Sequence, residues 1–585
     1  MDPVVENRIL KASNASRILS VERIQSLWNG YGYIVRLTLE GGIYSSLICK
    51  HIKIPEAASH PKGFATDFSR DRKVKSYEVE ANWYKKFNSQ MNKDNNSQTA
   101  LCIDSFSTEE NEHFILLEDL NSKGFPRVES SLSFDNAKVV ISWLAAFHAK
   151  NLNEESPGLW EEGTYWHLST RPEEYEIMDK SELKKFAHLI DERLKRSRFQ
   201  TLVHGDAKLA NFCFSSDLRE VAAVDFQYVG TGCGVKDLAY FIGSVFDDDR
   251  CKQHEEEILS FYFERLEYFL TKKNIDFQGL KNEWTELYYF AIADFERFLR
   301  GWSPGHWKSN SYTEIIVEKV IDIIKSDFID SFERASSNAG KIQLQYLEKD
   351  LVVTTKNGGS EASSIVTEVD YLSQAEIYKS LKEVAEKYAP GILSEEKEDD
   401  GSRFIRPYFL AIDPLDGTYF YAKKKNGYAV SLSLISNLGE VILGSVYFPS
   451  ENRFVSEITD IKPKSSDKKF VAYLDPSIED SDLYSRVKEK FDVRFEGGAV
   501  YNAISALMSE NGVYFKLPKK KQGGGAIWDF AAVSHIASQM DAVFEGFGGQ
   551  FLKYNCKDPY YHESGLLVCR KENEDEIKRL LKELN

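Results

Sequence analysis

Little in this chain could staple it together, and nothing in it would carry it through a membrane. Its cysteines, Cys49, Cys102, Cys213, Cys233, Cys251, Cys556 and Cys569, are odd in number and scattered over 585 residues. No pair stands at zinc-ligand spacing, so neither a disulfide framework nor a structural zinc is expected. The pattern reads as reduced thiols of a cytoplasmic protein. No apolar run approaches the roughly 18 residues a membrane-spanning helix needs. The opening Met1-Asp2-Pro3-Val4-Val5-Glu6 has no basic segment leading into an apolar one, so no secretory signal is expected. Positive charge is in deficit, with 74 Lys and Arg against 91 Asp and Glu, a formal net charge of −17. Such a surface is unsuited to nucleic acid in bulk, although a local cationic pocket can still hold a phosphate. No internal repeat relates the two halves.

There is hydrophobic material for more than one core. The chain is 42% hydrophobic and 28% charged, and its length exceeds the ~100–200 residues typical of one domain. Residues 18–53 alternate apolar and polar positions in runs broken by Asn29-Gly30-Tyr31-Gly32 and Glu40-Gly41-Gly42, which predicts a three-stranded meander. Helical spacing follows over 72–90, then a buried strand over 114–120. From about 133 the pattern is helical, with Val139, Val140, Trp143, Leu144 and Phe147 on one face. Two long aromatic-rich helices are expected over 254–272 and 281–300. Ala335-Ser336-Ser337-Asn338-Ala339-Gly340 has the composition of a linker, but Phe328, Phe332, Ala335, Ala339 and Ile342 keep helical spacing through it. The domain junction is therefore placed near 327, with 328–347 as the first helix of the second half. Beyond 351, strands and helices alternate between Gly-rich turns, as in a mixed α and β domain.

Two groups of residues carry chemistry. The first is His204-Gly205-Asp206-Ala207-Lys208-Leu209-Ala210-Asn211, followed by Asp225-Phe226-Gln227. Phosphoryl transfer needs positioning, charge neutralisation and a base beside the acceptor hydroxyl. Asp206 suits the base. Asn211 and Asp225 offer the hard oxygen donors that magnesium prefers. Lys50, in a strand, is the candidate partner of nucleotide phosphates and Glu80, in a helix, the partner of Lys50, although Lys53 competes for the lysine role. Gly30 and Gly32 would let a hairpin turn close over the nucleotide, and Lys208 is a further cofactor-binding candidate. These residues resemble the aminoglycoside phosphotransferase and choline kinase superfamily, in its ecdysteroid-kinase-like branch. Lys75-Ser76-Tyr77-Glu78-Val79-Glu80-Ala81-Asn82-Trp83-Tyr84, Leu144-Ala145-Ala146-Phe147-His148-Ala149 and Asp237-Leu238-Ala239-Tyr240 fit the same branch. The resemblance covers 1–326. It implies a bilobal protein-kinase-like fold, ATP and Mg2+ as cofactors, and a small-molecule hydroxyl as acceptor.

The second group is Asp413-Pro414-Leu415-Asp416-Gly417-Thr418, with Glu395-Glu396 before it and Trp528-Asp529 after it. Hydrolysis of a phosphomonoester at neutral pH needs a metal-activated water, and a magnesium cluster needs carboxylates converging from separate segments. A helix beginning at Gly417-Thr418 would offer N–H groups to a phosphate, and Asp529 would open another. This set resembles the inositol monophosphatase and bisphosphate nucleotidase superfamily over 327–585. The resemblance places Glu395, Asp413, the Leu415 carbonyl, Asp416 and Asp529 at metal-ligand positions. Asp416, Gly417 and Thr418 fall at the phosphate, and Glu395 and Thr418 are catalytic candidates. Asp370, in Val366-Thr367-Glu368-Val369-Asp370, and Glu396 take supporting positions. Lys516-Leu517-Pro518-Lys519-Lys520-Lys521 is reminiscent of the bisphosphate nucleotidases, although a lysine run is ordinarily a solvated loop.

The expected architecture is thus two domains, α/β and α+β: a bilobal kinase-like fold over 1–326, then a layered α/β/α/β fold over 327–585. The expected function is bifunctional, phosphorylating a small hydroxylated metabolite and hydrolysing a small phosphomonoester, with no nucleic-acid or membrane partner and a homodimer as a candidate assembly. The alternative is a phosphatase of the inositol phosphate or 3′-phosphonucleotide type whose kinase-like half only binds ligand or regulates.

Overall fold

A computed structural model describes residues 2–27, 30–54, 66–93, 95–109, 112–349, 353–355, 365–456, 469–479, 481, 483–518 and 525–584. The chain divides into two compact units, Met1–Asp322 and Ile323–Asn585. No described helix is long and apolar enough to cross a membrane. All seven cysteines are free thiols.

In the first unit the expected meander forms as strands Arg17–Ser26, Gly32–Glu40 and Ser46–Ile52. They continue into His113–Glu118 and Cys102–Ser107 as one five-stranded antiparallel sheet. Gly32 has φ +128°, and a Cβ there would sit 1.9 Å from the His51 carbonyl oxygen, so only glycine fits where the hairpin starts. Lys50 lies in the central strand, opposite Ile34 on one side and Ile115 on the other. Its partner helix, Asp67–Lys86, is capped by Thr66, whose hydroxyl accepts from Ser69 N at 3.1 Å. The helical body follows. Helix Phe134–Lys150 buries Val140, Trp143, Leu144 and Phe147 and packs on helix Asp248–Leu270, while Phe277–Trp302 packs on Val235–Val245 and Glu182–Lys195.

The helix expected to start at 328 begins much earlier and runs Ser311–Leu347. The reason is local. Tyr312, Ile316, Val317, Val320, Ile321 and Ile324 are buried at the same helical spacing as Phe328, Phe332, Ala335 and Ala339, and no proline or cap interrupts them. The division at 322/323 therefore falls inside a helix.

The second unit holds two five-stranded sheets separated by helices. The first sheet runs Gly391–Ser394, Tyr408–Asp416, Ala429–Ser436, Val441–Phe448, Arg453–Val455 in spatial order. Every position of Tyr408–Asp416 is buried, as a strand covered on both faces requires. Helix Glu368–Ser380 contacts it, and helix Ile527–Gln539 packs across three strands of the same sheet. The second sheet orders Asp492–Arg494, Val471–Tyr473, Gly512–Lys516, Leu566–Arg570, Ala542–Glu545. Helix Ala499–Met508 packs on three of its strands, and Val487, Ile577 and Leu581 of two short helices close a separate core with Ala472, Val513 and Val543.

Candidate active sites

In the first unit the expected residues converge. Lys50 Nζ bonds both carboxylate oxygens of Glu80, at 2.8 and 2.7 Å, and lies 3.5 Å from Asp225 Oδ1. Burial alone would lower the Lys50 pKa, but Glu80 and Asp225 hold it above its ordinary value. Burial pushes Glu80 up to about 7 against the pull of Lys50. Burial would raise Asp225 too, yet Lys50, Lys208 and Lys73 hold it at about 2. The competing Lys53 is exposed and pairs with Glu112 at 2.6 Å, so the structure puts Lys50 with Glu80 and Asp225.

The catalytic-loop residues are held by a brace. Asp237 accepts from the backbone N–H groups of His204, at 2.5 Å, and Gly205, at 2.9 Å. His148, from the helix that carries the Leu144–Ala149 phrase, lies 3.2 Å from the same carboxylate and 2.8 Å from the Tyr262 hydroxyl. Asn211 Nδ2 donates to the Asp206 carbonyl and carboxylate at 2.7 and 3.1 Å, which leaves its own carbonyl oxygen for a cation. Lys208 pairs with Asp206 Oδ2 at 2.8 Å, while Asp206 Oδ1 is buried with no hydrogen-bond partner. Asp225 has φ +70° and accepts from Gln227 Nε2 at 2.6 Å. Gln227 in turn accepts from Lys73 at 2.6 Å. Lys50, Glu80, Asp206, Lys208, Asn211 and Asp225 all line one cavity of about 730 Å3. Gly30 lies in the turn before the second strand and Gly32 opens that strand.

In the second unit, carboxylate oxygens of Asp413, Asp416 and Asp529 lie within 4.8 Å of one another. Each comes from a different local device. Asp413 ends the regular pairing of its strand, since the register shifts between Asp413 and Asp416. Its Oδ1 accepts from Leu415 N at 2.9 Å, and its Oδ2 is buried without a partner. Asp416 accepts from Ala499 N and Val500 N, at 3.0 and 2.9 Å, in the first turn of helix Ala499–Met508, where the helix dipole favours a negative charge. A Cβ at Gly498 would meet Asp416 Oδ2 at 2.4 Å, so this approach requires glycine. Asp529 stands at the third position of its helix and accepts from Ala526 N at 2.5 Å.

Burial first, then repulsion from Glu395, Asp529 and Asp416, pushes Asp413 well above the usual carboxylate range. Burial and Asp529 do the same to Asp416. Asp529 is pushed up to about 6, by burial and then Glu395. Glu395 follows strand Gly391–Ser394, and its N–H donates to the Ile412 carbonyl at 3.2 Å, beside Asp413. Glu396 is next to it, half-buried. Asp370 closes the start of helix Glu368–Ser380, accepting from Thr367 N and Oγ1 at 2.8 and 2.7 Å. Burial pushes it up to about 7. The Thr418 hydroxyl lies 3.0 Å from both Asp370 Oδ1 and the Leu415 carbonyl. The expected helix begins at Thr418 and ends by Ala422, with Gly417 before it at φ +84°. Lys516 pairs with Asp475 at 3.2 Å, while Lys519, Lys520 and Lys521 lie outside the described residues.

Motif reading did not single out Gln343. It is fully buried, and its Nε2 donates to the Pro414 carbonyl at 2.8 Å and lies 3.2 Å from Ser373 Oγ. The Tyr421 hydroxyl donates to the Gln343 carbonyl at 2.7 Å. The signal was present, since Gln343 directly follows Ile342 on a helix whose apolar face was already recognised. The pairing of Gly497-Gly498 with Asp416 was likewise visible only as a Gly-rich turn.

Residues 325–585 match the model of the inositol monophosphatase family, and residues 61–195 and 165–275 match that of the ecdysteroid kinase-like family. The N-terminal part of the chain thus resembles the ecdysteroid kinase-like family and the C-terminal part the inositol monophosphatase family. Similar solved structures include an inositol monophosphatase of Thermotoga maritima, 19% identical over 44% of this chain and 98% of that one, with TM-score 0.37. The extragenic suppressor protein suhB of Bartonella henselae is 19% identical over 44% and 98%, with TM-score 0.35. An inositol monophosphatase of Anabaena (Nostoc) is 19% identical over 44% and 96%, with TM-score 0.34. No curated protein sequence matches the chain.

Proposed function

We propose that the chain is a bifunctional small-molecule enzyme, with an ATP-dependent kinase in 1–326 and a magnesium-dependent phosphomonoester hydrolase in 327–585. The observation that carries the hydrolase is the convergence of three aspartates within 4.8 Å, Asp413 and Asp416 buried and Asp529 half-buried, with one Asp413 oxygen lacking any partner. Such a group is costly to bury without a cation. Asp413, Asp416, Asp529, Glu395 and the Leu415 carbonyl would hold the magnesium. When bound, the metal neutralises phosphate charge and makes water a better nucleophile near neutral pH. Each Asp416 oxygen keeps a second lone pair beyond its helix N–H bond. With Asp370 accepting its proton, Thr418 Oγ1 keeps lone pairs to orient a water, and Gly417 and Thr418 offer backbone N–H groups to the phosphate.

In the kinase half the Lys50–Glu80 pair points a fixed cation at the cavity that would hold ATP, and Asn211 and Asp225 supply oxygen donors for its magnesium. Asp206 Oδ1, the unpartnered oxygen, would accept the acceptor hydroxyl's proton, while Lys208 and Asn211 fix the other oxygen. Magnesium-dependent phosphate release from p-nitrophenyl phosphate, together with calorimetric ATP binding, tests the reading on the full chain. Asp413→Asn is expected to lose the first and keep the second, and Lys50→Met the reverse. Hydrolysis retained in Asp413→Asn would sink the metal assignment, and ATP binding retained in Lys50→Met would sink the nucleotide assignment.

A further inference from the structure

The cavity of the first unit has two chemically different walls. Ile24, Leu27, Ile34, Ile48, Leu117 and Leu120 give an aliphatic wall from the sheet side. Tyr165, Tyr240, Phe298 and Trp302 give an aromatic wall from the helical body. Asp206 belongs with the aromatic wall. After burial, its charge is the next cause raising the Tyr165 hydroxyl pKa, and it also raises Tyr240. The two tyrosine hydroxyls lie 3.0 Å apart.

Four arginines line this cavity, Arg36, Arg70, Arg72 and Arg171, and two of them are at least nine-tenths buried: Arg72 at 8% and Arg171 at 9% exposed. Arg171 is fixed to the aromatic wall. Its Nε donates to the Tyr165 carbonyl at 2.6 Å, and its guanidinium lies 5.2 Å from the Phe298 ring centre. Its charge is offset by Glu174 at 3.0 Å. Arg72 has no carboxylate at ion-pair distance among the described residues, although Glu174 and Glu173 lie close enough to offset its charge in part. It donates to the Thr170 carbonyl at 2.6 Å and to Ser69 Oγ at 3.1 Å, both neutral. Burial and the nearby Arg171 lower its pKa. Lys308 adds positive charge beside Tyr240. Its Nζ lies 4.9 Å from the Tyr240 ring centre, and no carboxylate pairs with it among the described residues. Buried positive charge only partly offset by neighbouring carboxylates is costly, and two guanidiniums lining one cavity suit an oxyanion.

We infer that the acceptor of this unit is a hydroxylated molecule with a flat or apolar ring and one oxyanionic group, the ring lying on the aromatic wall and the oxyanion on Arg72 and Arg171. This rests on the kinase reading for the role of the site, but binding can be tested without turnover. The anion is distinct from the nucleotide phosphates, which have Lys50 and the magnesium ligands as partners. Carboxylate and phosphate share the required chemistry.

The test is ligand-observed NMR saturation transfer on the full chain in EDTA, with benzoate, phenylphosphonate and neutral benzamide as probes, with and without ATP. The expected result is saturation of at least one anion several-fold above benzamide, unchanged by ATP and lost in Arg72→Met. Arg72→Lys is expected to retain part of it, and both variants should melt within a few degrees of wild type. Benzoate against phenylphosphonate tells which oxyanion is preferred. Equal signals from anions and benzamide, or none from either anion, would overturn the inference. Displacement of the anions by ATP would also overturn it, assigning the arginines to the nucleotide. Arginine-dependent anion binding, with no ATP turnover in a parallel magnesium-containing assay with a metabolite extract, would keep this inference and sink the kinase reading. ATP turnover without anion preference would do the opposite.

Discussion

The two sites solve the same problem, holding several acids together, in opposite ways. In the kinase-like unit each acid has a cation beside it: Asp206 has Lys208, while Glu80 and Asp225 share Lys50, with Lys208 and Lys73 also near Asp225. In the phosphatase unit Asp413, Asp416 and Asp529 face one another, and Lys516, which lies close enough to lower the pKa of Asp416 and Asp529, is itself paired with Asp475. Backbone N–H groups of Leu415, Ala499, Val500 and Ala526 supply what compensation there is. The first site is charge-balanced by protein alone. On the proposed reading the second is completed by bound cations, and that contrast sets what each should do when perturbed.

The largest effect is expected at Asp413. Asp413→Asn should cut phosphate release by about 10³-fold, the scale of losing one charge partner of a transition state, with ATP affinity unchanged. Steady-state kinetics beside calorimetry checks it, and equal losses in both units would dissolve the contrast. Next comes Lys50→Met, which strands Glu80 buried and unpaired. Breaking such a pair costs about 3–5 kcal/mol, and Glu80→Gln in the same chain should recover most of it. Urea unfolding followed by tryptophan emission, with both variants, measures this. A single variant as stable as wild type would show that the pair is not buried as described.

Gln343→Leu should leave the Pro414 carbonyl without its donor and cost about 1–3 kcal/mol. The turn that sets Asp413 and Asp416 should loosen, so magnesium affinity for phosphate release should fall while kinase-side ATP binding stays unchanged. An unaltered magnesium dependence would remove Gln343 from the site's support.

The smallest effect is in pH. Asp529 and Asp370 titrate at about 6 and about 7 when folded, against ~4 for a carboxyl in the unfolded chain. Between those values the folded state binds more protons than the unfolded one, so metal-free stability falls as pH rises from ~4 to ~7 and then levels. Calorimetric melting in EDTA should show the phosphatase transition dropping by a few degrees over that window, with Mg2+ restoring it above pH 7 and Asp529→Asn flattening the slope. A rise with pH would reverse the sign of the burial argument.

The motif residues were legible because their spacing is set locally. Asn211 follows Asp206 within one short turn, and Asp416 follows Asp413 across one bulge, so short-range sequence already implies shared position. Asp237 was noted as part of a phrase, but its role bracing His204 and Gly205 depends on a helix from elsewhere in the chain. Gln343 and Gly498 reach the phosphatase site from segments far from Asp413 in sequence; the apolar face beside Gln343 and the Gly-rich turn at Gly498 mark buried or tight positions but not which carboxylate turn they meet. The start of helix Ser311–Leu347 was misplaced for the reverse reason. Its apolar stripe is continuous, and a junction leaves no mark where the same helix serves both sides.

The central claim is that one chain holds two independent phosphate chemistries. The most direct test incubates wild type, Asp206→Ala and Asp413→Ala with γ-¹⁸O-labelled ATP, magnesium and a small-metabolite extract, following the label by mass spectrometry. The account predicts label transfer to a metabolite in wild type and Asp413→Ala but not in Asp206→Ala. Phosphate release from added p-nitrophenyl phosphate should be lost only in Asp413→Ala. Label transfer that survives Asp206→Ala, or is absent from every variant while phosphate release proceeds, would contradict it.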